Sequence, residues 1–161
     1  MTIPTVLASI VLLLSGVTAT DASRVERVPA SQADSAYTPR RGSAERKEIL
    51  DAMRAHRRQF DARPVVFVVS HLRVQRGWAW LSVRPQSPDG RSRFESESAL
   101  LQHRAMGWVV REVMPAAGER EGTELEADCA WFQHLRTTFA AVPPAILPAA
   151  GRRPCPAVRT G

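Results

Sequence analysis

The residues of this 161-residue chain whose types could do chemistry are few: four histidines (His56, His71, His103, His134), two cysteines (Cys129, Cys155) and an aromatic-arginine cluster around Trp78 and Trp80. A zinc site needs ligands at close spacing or brought together from facing strands. None of the four histidines has a His, Cys, Asp or Glu at ligand spacing, and only His71 and His103 could meet, from facing strands on one sheet surface. Half-buried or surface histidines are the simpler account. There is no Gly-x-Ser-x-Gly turn, no phosphate-binding glycine loop and no paired carboxylate, so no catalytic residue and no metal site are expected. The residues that do gather are His71, Arg73, Trp78 and Trp80, the expected ligand-binding set, with Glu112 as a further lining residue. Tryptophan and arginine suit a sugar or an anion, and a His–Glu pair suits proton transfer. The plainer account is that the tryptophans complete the packing.

These four sit in the stretch from Pro64 to Pro85, which reads as a β-hairpin. Val65 to Gln75 is rich in β-branched residues, Trp78 to Arg84 alternates, and Arg76-Gly77 between them supplies a tight turn. A two-residue turn sets Val74 opposite Ala79, Leu72 opposite Leu81 and Ser70 opposite Val83 on a core face, with Val66 and Val68 on that same face. On the other face Gln75 meets Trp78, Arg73 meets Trp80 and His71 meets Ser82. A second hairpin follows, Ala99 to Arg104 and Trp108 to Met114, turning at Ala105-Met106-Gly107. Four strands with short turns favour an antiparallel meander.

Something must cover the core face. Ser43 is a credible cap for a helix in which Ile49, Ala52, Met53, His56 and Phe60 fall on one side, ending before Pro64. A last, short C-terminal helix is expected with Asp128 as its cap and Leu125, Cys129, Phe132, Leu135 and Phe139 as its stripe. The fold class is therefore α+β: an N-terminal amphipathic helix on a four-stranded antiparallel meander, with a short C-terminal helix.

The N-terminus points to export. Val6 to Val17 is an apolar run of signal-peptide length, too short to span a bilayer comfortably. Val17-Thr18-Ala19 places small residues where signal peptidase reads, so cleavage is expected after Ala19, with Ala22 as second choice. No Lys or Arg precedes the run, which leaves an uncleaved anchor open. The expected organisation is a signal peptide at 1–19, a flexible linker at 20–41, one α+β domain at 42–148 and a tail at 149–161. In an oxidising compartment Cys129 and Cys155 are expected to form a structural disulfide tethering that tail. Closing such a loop is worth about 3–4 kcal/mol by the chain-entropy model.

The formal charge is +6, almost all of it arginine; Lys47 is the only lysine and asparagine is absent. With abundant Ala and Pro, this is the mark of a GC-rich coding sequence, and the scattered charges read as a solvated surface rather than a nucleic-acid footprint. No specific nucleic-acid binding is expected. An electrostatic attraction to anionic polymers remains open.

Gly42-Ser43-x-x-Arg46-Lys47-x-Ile49-Leu50-Asp51-Ala52, then Pro64-Val65-Val66-Phe67-Val68-Val69 and Leu72-Arg73-Val74-x-x-x-Trp78-Ala79, resembles a family of small exported proteins of Gram-negative bacteria with no assigned function. The resemblance continues through Pro85 to Gly90, Trp108-Val109-Val110-Arg111-Glu112 and Pro144-Ala145-Ile146-Leu147-Pro148, and covers roughly 42–148. The second hairpin turn is shorter than in that pattern, and the two cysteines are additional to it. The resemblance implies a cystatin-like roll, a fold that hosts enzymes and binders alike.

Three functions follow. The first is a non-enzymatic periplasmic or secreted binding module using the aromatic and arginine face of the sheet for an envelope component or small ligand. The second is a small cystatin-roll hydrolase or isomerase using His71 or His103. The third is an electrostatic binder of an anionic envelope polymer. No cofactor is expected, and a membrane enters only through an uncleaved N-terminal segment. The observation that separates them is whether the Trp78 and Trp80 face stands open.

Overall fold

The computed structural model describes residues 35–116 and 123–155. The apolar run, both cleavage positions and most of the expected linker lie outside the described residues, as do 117–122 and 156–161. Strands β1 (Val66–Gln75), β2 (Trp78–Gln86), β3 (Glu97–Arg104) and β4 (Gly107–Val113) form one antiparallel sheet in sequential order. The described residues also form helices α1 (Ala44–Arg57), α2 (Glu124–Thr138) and α3 (Ala149–Arg152), with a 3-10 turn at Pro144–Ile146. The class is α+β.

Helix α1 starts where the Ser43 hydroxyl accepts from the Arg46 amide at 3.3 Å, satisfying one of the four donors a helix start leaves open. Ile49 and Met53, one turn apart, bury against Phe67, Leu72, Val74, Ala79, Leu81, Val83, Ala99, Leu101 and Trp108 of the sheet. Phe60 does not share that stripe. The helix has ended at Arg57, and Phe60 is 79% exposed with its ring against His56.

The first hairpin turns through Arg76 (φ 50°) and Gly77 (φ 73°), the two left-handed residues a tight primed turn requires. From His71 to Gln75 the register is the one expected. Upstream it is not: Val69, rather than Ser70, faces Val83, and Ser70 is the extra residue of a β-bulge. Side chains alternate with period two, so one inserted residue exchanges the faces. Phe67 is therefore the core residue of the upstream half, and Val66 and Val68 are 43% and 45% exposed. The second hairpin turns on Ala105-Met106, with Gly107 already paired to Arg104.

A second core lies on the opposite face of the sheet. Helix α2 begins at Thr123, whose side chain and that of Glu126 form a reciprocal capping box, so the cap stands five residues before the expected Asp128. Leu125 is exposed, and Trp131 joins Phe132 and Leu135 in its place. Cys129 and Cys155 form a disulfide with Cα atoms 5.4 Å apart. Gly151 of α3 meets the Phe132 ring so closely that a Cβ there would lie 2.7 Å from it, and Arg136 donates to the Gly151 carbonyl. Residues 149–152 thus pack on α2 rather than forming a loose tail.

The body also begins before residue 42. Tyr37 exchanges both backbone hydrogen bonds with Val74, at 2.9 and 2.7 Å, and the Thr38 hydroxyl donates to the Leu72 carbonyl. Residues 36–38 thus dock on the outer edge of β1 through a single β-bridge at Tyr37.

Candidate functional site

The face carrying Trp78 and Trp80 is closed. Trp80 is 1% exposed and Trp78 7%, covered by Trp131, Phe132, Leu135, Val142, Ile146 and Leu147. Trp80 meets Trp131 and Phe132 with ring centroids 5.5 Å from each, and Trp78 meets Phe139 edge-on at 5.8 Å. The Trp80 indole donates to Ser82 Oγ at 3.2 Å, and Ser98 donates to the same hydroxyl at 2.8 Å. These two tryptophans are a hydrophobic core with its polar handle satisfied, not a ligand platform. The sequence left them ambiguous because nothing local says that residues seventy positions on will return to cover them.

The catalytic pairings do not form either. His103 packs its ring on Trp108, a member of the α1-side core, at 5.3 Å. His71 lies on the other face, with Nε2 3.0 Å from the Ile146 carbonyl. Glu112 pairs with Leu100 on β4, three strands from β1 and so roughly 14 Å across the sheet. Among the described residues no three His, Cys, Asp or Glu side chains gather where they could hold a metal ion.

His71 and Arg73, the other half of the expected set, do line a groove. It runs along the outer edge of β1 where residues 38–41 peel away toward α1, and its volume is about 460 Å³. Arg40, Arg41, Arg46 and Arg73 line it with His71, and among the described residues no carboxylate does. The chain turns here through Gly42 (φ 81°), with the Ser43 amide bonded to the Arg40 carbonyl. Arg73 is held in place by donating from Nη2 to the Ala36 carbonyl at 2.7 Å, and Arg46 by donating from Nη1 to the Pro39 carbonyl at 3.3 Å. The nearest carboxylate along the chain, Glu45, is engaged: both its oxygens lie within 3.0 Å of the Tyr37 hydroxyl, which donates to it. Burial, then this carboxylate, pushes the Tyr37 phenol well above its ordinary value, so it stays a donor at every physiological pH.

A second cleft of about 220 Å³ is also lined by arginines, Arg54, Arg57, Arg58 and Arg63, but holds Asp61 among them. Arg57 donates to both Asp61 and Glu97, Arg63 pairs with Asp61, and Arg54 pairs with Asp51. Three of its four arginines are thus answered by carboxylates, Arg58 being the exception among the described residues. The edge groove differs in that no ion pair among the described residues reaches its four arginines.

Arg40, Arg41 and Arg46 were missed as site residues. The first two fall in a stretch composed like a linker, and the third on the polar side of a helix. The usable signal was three arginines within seven positions around a glycine turn and a helix cap. No protein-family model, no curated protein and no solved structure matches the chain.

Proposed function

We propose that this chain is an exported, non-enzymatic binding module that captures an anionic group in the groove lined by Arg40, Arg41, Arg46, Arg73 and His71. The observation that carries this reading is the composition of that groove, four arginines with no carboxylate, two of them already fixed by backbone carbonyls. Guanidinium groups held in place lose less entropy on binding and offer paired donors that match carboxylate or phosphate oxygens. The apolar run at Val6–Val17 and the Cys129–Cys155 disulfide support export to an oxidising compartment. A cystatin-like roll, and membership of the small exported family that residues 42–148 resemble, are part of the same proposal, supported by a helix laid across a sequential four-stranded sheet.

The test is a calorimetric titration with tripolyphosphate at low and at high salt. We expect binding that weakens as salt rises and falls about tenfold, or about 1.4 kcal/mol, in Arg46→Ala. Binding that is absent at low salt, or unchanged in Arg46→Ala and Arg41→Ala alike, would refute the proposal.

A further inference from the structure

We infer that the groove's ligand is an extended acidic peptide segment of a partner protein, which adds as a strand to the free upstream edge of β1; this rests on the anion-binding reading above. The wall of the groove is not a set of scattered side chains but five consecutive residues, 69–73, of an edge strand. Among the described residues, β1 is paired on its outer side only at its downstream end, by the Tyr37–Val74 bridge and the Thr38 hydroxyl on the Leu72 carbonyl. Among the described residues no strand lies outside 66–70. An edge strand presents a row of backbone donors and acceptors, and an extended peptide satisfies them at no cost in sequence specificity.

Specificity comes from the side chains along that edge. Because of the Ser70 bulge, Val66 and Val68 lie on the same face as His71 and Arg73 but beyond the cover of the second core, and both are nearly half exposed. A peptide strand there meets apolar neighbours at one end and arginines at the other. Residues 66–70 run about 17 Å, enough to pair about five residues of a peptide whose continuation then passes the arginines around 71–73. The ligand pattern that fits is apolar residues beside Val66 and Val68, and two or more acidic residues beside residues 69–73, where Arg40, Arg41, Arg46 and Arg73 converge. The same charges rule against a second copy as the occupant: pairing β1 with its own image would crowd two carboxylate-free arginine clusters on one short edge. They also give an acidic partner its fast, salt-dependent capture.

The experiment uses three peptides of about nine residues on the full chain: an apolar-acidic sequence of the stated pattern, its scrambled isomer of equal charge, and the patterned sequence N-methylated at alternate amides. Tripolyphosphate serves as the reference anion. Strand addition predicts that the patterned peptide binds at least tenfold more tightly than either control, and that the uncharged change Val68→Ser lowers its affinity several-fold while leaving tripolyphosphate binding unchanged. If tripolyphosphate binds but all three peptides bind equally, the groove takes anions without adding a strand and this inference fails alone. Preference for an anionic polysaccharide or nucleic acid over the patterned peptide overturns it equally, as does self-association of the chain in sedimentation. If neither peptide nor tripolyphosphate binds, the anion-binding reading fails with it.

Discussion

Two arginine-lined clefts flank helix α1, and they differ in one respect. At its C-terminal end Arg57, only 14% exposed, is clamped between Asp61 and Glu97, Arg63 returns to Asp61, and the guanidiniums of Arg57 and Arg63 lie over the Phe94 ring at 5.4 and 4.8 Å. At its N-terminal end four arginines line a larger groove without a carboxylate, and the acid closest in sequence is held by a tyrosine. Similar residues therefore do different work. In the first cleft most of the charge is cancelled internally and joins helix end to sheet. In the second that cancellation is absent, which is the arrangement the proposed anion site requires.

The largest expected effect separates the two clefts by stability. Arg57→Ala removes the shared partner of two carboxylates, Asp61 and Glu97, and is expected to lower stability in urea denaturation clearly, with tripolyphosphate affinity unchanged. A stability loss accompanied by an equal loss of binding would mean the clefts act as one. The converse variant, Arg41→Ala with Arg46→Ala, is expected to lower tripolyphosphate affinity more than tenfold while the unfolding free energy moves by no more than about 0.5 kcal/mol, as is usual for surface changes away from buried pairs.

A smaller effect distinguishes the clefts by acid. Hydrogen bonds from the Arg63 side chain and backbone, then the charges of Arg63 and Arg57, hold the Asp61 carboxyl well below its ordinary value. Its folded-state value is depressed, so the stability it contributes is complete above the ordinary carboxyl value of about 3.9 and is lost as pH falls through the depressed one. Asp61→Asn should flatten the acid limb of the stability curve below about pH 4 and leave the neutral limb of tripolyphosphate binding as it was. The smallest effect turns one cleft toward the other. Tyr37→Phe releases Glu45 to the neighbouring arginines, and should lower stability by about 1 kcal/mol and tripolyphosphate affinity only about threefold. An affinity that rises would show that the Tyr37–Glu45 contact does not keep the groove clear.

What was legible in the sequence was local. The hairpin at Arg76-Gly77 and the register from His71 to Gln75 follow from a turn whose geometry two residues fix. The Cys129–Cys155 disulfide follows from there being only two cysteines. The Ser70 bulge was not legible, because an inserted residue leaves a β-branched run looking regular and shows only in which of Phe67 and Val68 is buried. The fate of Trp78 and Trp80 was not legible either. It depends on Ile146 and Leu147 returning across the sheet, and no short-range pattern encodes that. The groove lay half in view: His71 and Arg73 stand on the strand, but Arg40, Arg41 and Arg46 reach it only because residues 36–38 dock on β1 before the chain turns into α1.

The difference between the clefts is tested most directly by following backbone amide resonances of the full chain as tripolyphosphate is added at low salt, since both clefts are then observed in one sample. The account predicts shifts concentrated at 40–46 and 69–73, saturating together and reversed by salt, with 57–65 unmoved. Shifts at 57–65 of equal size and midpoint, or spread evenly over every exposed arginine, would contradict it.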